Sequence, residues 1–100
     1  MDADQAKKLL EQIRDSYLEE MPAKCDDIEN LVLSLSRDFS ASYAELYGLV
    51  HSMKGSAGTH GLMMVSAICH ELEDHLTKLN TDQAVASAEI NIMLRLVDLI

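Results

Sequence analysis

Apolar residues recur every three or four positions along nearly the whole chain, which is the spacing of one face of an α-helix. Ala, Leu, Met, Glu and Lys, which are good helix formers, are abundant, and the alternation typical of half-buried strands is missing. Apolar residues make up 48% of the 100 positions, a share that argues against disorder and allows a modest core. The sequence therefore predicts an all-α protein with a single domain over residues 1–100.

Helix breakers and capping residues divide this pattern into five helical stretches. Met21-Pro22 is expected to end the first, because proline disfavours helix at the residue before it. Ser42 and Thr81 are the expected N-caps of the third and fifth stretches, and Gly61 is placed to end the third. Short connections make successive helices antiparallel neighbours, so we expect an up-down antiparallel four-helix bundle with an additional N-terminal helix. The five stretches are expected at about residues 3–20, 22–37, 42–60, 62–79 and 82–100.

The acidic composition limits the partners that the chain can have. A formal net charge of −9 repels nucleic acid and anionic membranes. The longest apolar run, Leu62 to Val65, is far shorter than the about twenty residues of a membrane span, and the N-terminus lacks the features of a secretory signal. Cys25 and Cys69 fit buried thiols better than a disulfide framework. We expect a cytoplasmic monomer that binds neither nucleic acid nor membrane.

One histidine in the third stretch faces away from the apolar stripe of its helix. His51 lies two residues before the stripe residue Met53, which is about 200° around the helix. His51 is therefore predicted to be exposed, with a lysine beside it and glycines around it. The residues that share its face, three, four or seven positions away, are Tyr47, Gly48, Lys54, Gly55 and Gly58.

The three glycines on this face need an explanation, because each glycine inside a helix costs about 1 kcal/mol relative to alanine. One explanation is that another molecule approaches the helix closely where the Cβ atoms are missing. Gly48, Gly55 and Gly58, together with Tyr47, would then form a partner-binding surface. The alternative is that the helix packs tightly against a neighbouring helix through its glycines.

A carboxylate on the fourth stretch is expected beside His51. The third and fourth stretches fold back on each other about Gly61, with His51 ten residues before it and Glu73 twelve residues after it. The two side chains should therefore lie at nearly the same height. A carboxylate that accepts the Nδ1 proton would fix the tautomer of His51 and leave Nε2 free as a nucleophile. Spacing alone leaves open that Glu73 is an ordinary solvated carboxylate.

The segment from His51 to Leu62 strongly resembles the signature of histidine phosphotransfer domains, often written His-x-Leu-Lys-Gly-Ser-Ala-x-x-x-Gly. The resemblance continues through Cys69, Leu72 and Glu73, where the family often has a Cys-x-x-Leu-Glu segment. It implies a four-helix fold and a phosphorelay function. It further implies that His51 is the phosphoacceptor, that Lys54 lies near the phosphoryl group, that Gly55 gives the partner clearance and that Glu73 hydrogen-bonds the histidine.

Two residues depart from the family signature. Met53 replaces the usual leucine, which is a volume-conserving change. His60 stands where an apolar residue is common, and it is expected either as a hydrogen-bonded core histidine or in solvent near the helix end.

The sequence shows no machinery for making phosphohistidine from ATP, such as a Walker-type phosphate loop. The resemblance therefore implies a phosphocarrier without kinase activity, which takes its phosphoryl group from an aspartyl phosphate and passes it to another receiver domain. The partners would be receiver domains of response regulators or hybrid histidine kinases. The receiver would supply Mg²⁺, so we expect no cofactor, and the spacing of His70 and Asp74 is only weak evidence for a metal site.

Two other functions remain open. The chain is alternatively the phosphoacceptor module of a larger chemotaxis-type histidine kinase, with catalysis in other domains. The second alternative is a bundle that binds receivers without chemistry, against which the joint presence of His51, Lys54 and Glu73 argues.

Overall fold

The computed structural model describes residues 1–79 and 84–100, and within these ranges the chain forms four helices and no strand. Each helix packs against two others, as in a four-helix bundle. The predicted all-α up-down bundle is confirmed. No helix in the described ranges combines the length and apolarity needed to cross a membrane. The helices are α1 (Ala3–Ser34), α2 (Phe39–Thr59), α3 (Met63–Thr77) and α4 (Ser87–Asp98).

All four helices contribute to one continuous core. Ile28, Val50, Cys69 and Met93, one from each helix in chain order, have no exposed surface. Both cysteines are free thiols, and burial raises the pKa of Cys69 to about 11. The thiol of Cys69 therefore stays protonated and packs as a small apolar side chain.

The prediction of a separate N-terminal helix ending at Met21-Pro22 is wrong, because α1 runs through Pro22 without a break. Tyr17 and Met21 before the proline, and Ile28 after it, are buried on the same side of α1. The free energy gained by burying this face is larger than the cost of the single backbone hydrogen bond that a proline removes. The predicted additional helix is the first part of α1, and every buried side chain of α1 lies at Tyr17 or beyond.

Replacing Pro22 by alanine should therefore stabilise the protein. Pro22 is exposed, so its ring contributes little packing, while proline inside a helix costs about 3 kcal/mol relative to alanine. A more flexible unfolded chain offsets up to about 1 kcal/mol of this gain. We expect the free energy of unfolding, measured in urea, to rise by about 2 kcal/mol in Pro22→Ala. A fall would show that the proline ring itself is needed for packing.

The starts of α2 and α4 also differ from the sequence-based expectation. α2 begins at Phe39, so Ser42 is not its N-cap but a buried residue within its first turn. Phe39 stacks on Tyr43 with ring centroids 5.1 Å apart, which extends the helix toward its N-terminus. α4 begins at Ser87, and residues 84–86 are not helical. The predicted cap Thr81 lies outside the described residues.

The turn between α2 and α3 is as predicted and sets the geometry of the functional face. Gly61 has a φ of +74°, a conformation that favours glycine because the Cβ atom of any other residue would clash with the adjacent backbone. The amide of Leu62 donates to the carbonyl of Ala57 at 2.8 Å, and that of Gly61 donates to the carbonyl of Gly58 at 3.1 Å. This pair of bonds is a Schellman motif, which ends α2 and reverses the chain. His60, just before the turn, is half-buried, and its ring packs against that of Tyr17 with centroids 4.6 Å apart and an angle of 34° between the planes.

Candidate functional site

The register between α2 and α3 is set by the buried side chains packed between them, and side-chain hydrogen bonds lie on both sides of the middle of the hairpin. Tyr43 donates its hydroxyl to the carbonyl of Leu76 at 2.9 Å. Nearer the turn, the Ser66 hydroxyl donates to the carbonyl of Lys54 at 3.0 Å. The buried side chains packed between α2 and α3 keep the two helices from sliding by a turn, so the residues between these two levels keep fixed neighbours. The side chain of His51 lies between them, opposite Glu73.

His51 is exposed on α2, and its imidazole lies beside Glu73 as the hairpin spacing predicts. Its side chain is 62% exposed, and Nδ1 lies 3.1 Å from Oε2 of Glu73. An ionised carboxylate only accepts hydrogen bonds, so Nδ1 carries the proton that is donated. In the neutral ring Nε2 then keeps its lone pair, and it lies on the side of the ring away from Glu73.

Glu73 is not an ordinary solvated carboxylate, because three side chains surround it and only 15% of its own side chain is exposed. Oε2 lies 2.8 Å from Nζ of Lys54 and 3.1 Å from Nδ1 of His51, while Oε1 accepts from the Tyr47 hydroxyl at 3.4 Å. The hydrogen bonds from Lys54 and His51 lower the pKa of Glu73 to about 2. Glu73 is therefore ionised throughout the physiological pH range.

The lowered pKa of Glu73 predicts a specific loss of stability in acid. A carboxyl group whose pKa falls on folding stabilises the protein above its unfolded pKa, near 4.5, and loses this contribution as the pH falls to about 2. We expect the difference in thermal midpoint between the wild type and Glu73→Gln to be largest near neutral pH. It should shrink steadily below about pH 4.5. A difference that stays constant down to about pH 2 would contradict the lowered pKa. Glu71→Gln, an exposed change on the same helix, controls for net charge.

The imidazole of His51 also stacks on Tyr47, a contact that the spacing of the hairpin does not predict. The ring of Tyr47 lies one turn below, with ring centroids 6.1 Å apart and an angle of 7° between the planes. Tyr47 is half-buried and packs against the core, so part of its surface is not available to a partner. The signal in the sequence is the four-residue spacing of Tyr47 and His51, which brings side chains together on a helix.

The glycines around His51 divide into two kinds. A Cβ atom at Gly48 or Gly55 would meet nothing within 4 Å, so neither glycine is required by packing inside the bundle. Gly58 is half-buried, and a Cβ there would lie 3.5 Å from the Ser66 hydroxyl on α3. Gly58 is therefore less open than the other two glycines, because α3 approaches it close to the Gly61 turn. For Gly48 and Gly55, clearance for a partner stays a prediction.

Metal ligands do not cluster in the part of the chain that the structure describes. No group of three or more His, Cys, Asp or Glu side chains there is arranged to hold an ion. His70 and Asp74 form an exposed pair on α3, with Nε2 and Oδ2 3.8 Å apart.

The fold and the site together define a helical bundle that presents an exposed imidazole, hydrogen-bonded to a carboxylate, on its outer surface. The model of the Hpt domain family matches residues 12–100, so the chain belongs to the histidine phosphotransfer (HPt) family. Members of this family carry phosphoryl groups in phosphorelays, where they interact with receiver domains, and they are not kinases. The comparisons with curated proteins and with solved structures found no match.

Proposed function

We propose that the chain is a phosphorelay carrier in which Nε2 of His51 takes a phosphoryl group from the aspartyl phosphate of one receiver domain and passes it to the aspartate of another. The observation that carries this proposal is the exposed His51 imidazole whose Nδ1 is bound to an ionised Glu73. In the forward step a bond forms between Nε2 and phosphorus while the acyl phosphate P–O bond breaks. The receiver's aspartate leaves as a carboxylate, and the reverse step restores both groups.

Glu73 prepares His51 for this attack by holding one tautomer. Nucleophilic attack by Nε2 creates positive charge on the imidazole, and the carboxylate 3.1 Å from Nδ1 stabilises that charge as it develops. A glutamine at this position would still accept a hydrogen bond but would carry no charge.

Lys54 is the group that would balance the charge of the phosphoryl group. Its Nζ lies 2.8 Å from Glu73, and the hydrogen bond to that carboxylate raises the pKa of Lys54. Because an ammonium has three donors and Glu73 engages one, the other protons are free to bind a phosphoryl oxygen. The receiver would contribute Mg²⁺ and the acidic pocket, so the carrier needs no cofactor, and catalysis on this side is positioning and charge neutralisation.

The test is phosphoryl transfer from receivers that carry an aspartyl phosphate. Candidate receiver domains would be phosphorylated with a small-molecule phosphodonor and Mg²⁺, freed from the donor and mixed with the chain. We expect the mass of the chain to rise by one phosphoryl group, with acid-labile phosphate that fragmentation maps to His51. Purified phosphorylated chain should then lose the group to a second, unphosphorylated receiver. A folded chain that no phosphorylated receiver labels would contradict the carrier function and favour the module of a larger kinase.

A further inference from the structure

The aromatic residues of α2 form a ladder that ends at the phosphoacceptor. Successive rings lie four residues apart, and their centroids are separated by 5.1, 6.2 and 6.1 Å from Phe39 through Tyr43 and Tyr47 to His51. The angle between ring planes is 25°, 22° and finally 7°, so the last pair is the most nearly parallel. His51 is thus supported on one face by a ring that is itself packed against the core.

Tyr47 also contacts the carboxylate that holds the imidazole. Its hydroxyl donates to Oε1 of Glu73 at 3.4 Å, whereas His51 and Lys54 both bind Oε2. Burial and the Glu73 carboxylate raise the pKa of Tyr47, so the phenol remains a donor. One residue therefore touches both partners of the His51–Glu73 hydrogen bond.

These contacts restrain two motions that the His51–Glu73 bond leaves free. A single bond at Nδ1 allows the imidazole to swing about that contact, and the parallel Tyr47 ring, with its centroid 6.1 Å away, limits that swing on one side. Bonds to Oε2 alone allow the carboxylate to rotate about its last torsion, and the Tyr47 hydroxyl on Oε1 opposes that rotation. The separation of 3.4 Å is long for an O–H···O bond, so the stacked ring should contribute more than the hydroxyl.

We propose that Tyr47 is a positioning residue of the phosphoacceptor site, which holds the His51 ring by stacking and the Glu73 carboxylate through its hydroxyl. This role rests on the proposed phosphotransfer function, and it differs from the partner-binding role that the sequence predicts for Tyr47. A partner-binding residue would change how strongly a receiver binds. A positioning residue changes the rate of transfer after the receiver has bound and the tautomer of His51 in the free protein.

Tyr43 provides a matched control because it lies one rung further from His51 and packs against the same core. Tyr43→Phe loses a hydrogen bond to a backbone carbonyl, and Tyr47→Phe loses one to Glu73. Tyr47→Leu and Tyr43→Leu remove one ring each. Circular dichroism and thermal unfolding would establish that each variant is folded.

Two readouts are measured on each variant, namely the single-turnover rate of phosphoryl uptake over a range of receiver concentrations and the tautomer of neutral His51 from its ¹⁵N shifts. We expect Tyr47→Leu to lower the saturating rate by about tenfold and Tyr47→Phe by about threefold, with the half-saturating receiver concentration unchanged. In both, the share of His51 protonated on Nδ1 should fall. The Tyr43 variants should match the wild type in rate and in tautomer.

Three results would overturn the proposal. Equal losses of rate in the Tyr43 and Tyr47 variants would show a general effect of packing. A change confined to the half-saturating concentration would show a partner contact. An unchanged tautomer in both Tyr47 variants would show that His51 is held without Tyr47, even if no receiver proves to be a phosphodonor. Should Tyr47→Leu fail to fold, the comparison of Tyr47→Phe with Tyr43→Phe decides the matter on the same two readouts.

Discussion

His51→Gln is expected to abolish phosphoryl uptake from every phosphorylated receiver and to leave the fold intact. Glutamine has no nucleophilic nitrogen, so no bond to phosphorus can form. His51 is 62% exposed and lies outside the core, and the glutamine amide can still donate to Glu73. The free energy of unfolding should therefore change by less than about 0.5 kcal/mol. The measurement is intact mass after incubation with phosphorylated receiver, paired with urea unfolding of the same sample.

His70→Gln is the control for this experiment. His70 is another exposed histidine of the α2–α3 hairpin, and its contact with Asp74 does not involve Glu73. It should take up phosphoryl groups at the wild-type rate. Acid-labile phosphate on His51→Gln would refute the assignment of the phosphoacceptor.

Gly55→Gln should slow transfer by about a hundredfold and make the bundle slightly more stable. Helical side chains lean toward the N-terminus, so a glutamine at position 55 would lie over the turn that contains His51. It would stand where the aspartyl phosphate must approach, and a displacement of about 1 Å can cost about a hundredfold in rate. A Cβ at Gly55 meets nothing within 4 Å, so the gain in helix propensity, up to about 1 kcal/mol, is not opposed by a clash.

The two effects have opposite signs, and both are measured on one sample as transfer rate and thermal midpoint. Ala88→Gln adds the same side chain at an exposed position of α4, which contacts α1 and α3 but not α2 among the described residues. It should leave the transfer rate unchanged. If Gly55→Gln unfolds the protein, or if both the rate and the midpoint rise, clearance for a partner is not the reason for this glycine.

The juxtaposition of His51 and Glu73 was predictable because a tight turn converts distance along the chain into height in the hairpin. Gly61 marked that turn, and counting from it placed the two side chains together. The open surroundings of Gly48 and Gly55 followed from helical angle alone. Gly58 lies about 20° from His51 around the axis but is less open than the other two glycines, because helical angle does not show how closely α3 approaches near the turn.

The continuity of α1 was not predictable from local signals. Proline in a helix costs about 3 kcal/mol, and this cost can be read from the sequence because it depends on one residue alone. The opposing term is the burial of Tyr17, Met21 and Ile28 against the other helices, at about 25 cal/mol per Å² of apolar surface. That term depends on the packed bundle and can be evaluated only once the other helices are in place.

The exposure of His51 has a consequence for the lifetime of the signal that such a carrier would hold. A phosphoryl group on Nε2 would stand in water, since the ring projects from α2 with 62% of the side chain exposed. The carrier alone would then not shield the phosphohistidine from water. Water would be excluded only when a receiver domain covers the histidine. Between two such encounters, the lifetime of the phosphorylated state would be set by hydrolysis of the exposed nitrogen–phosphorus bond.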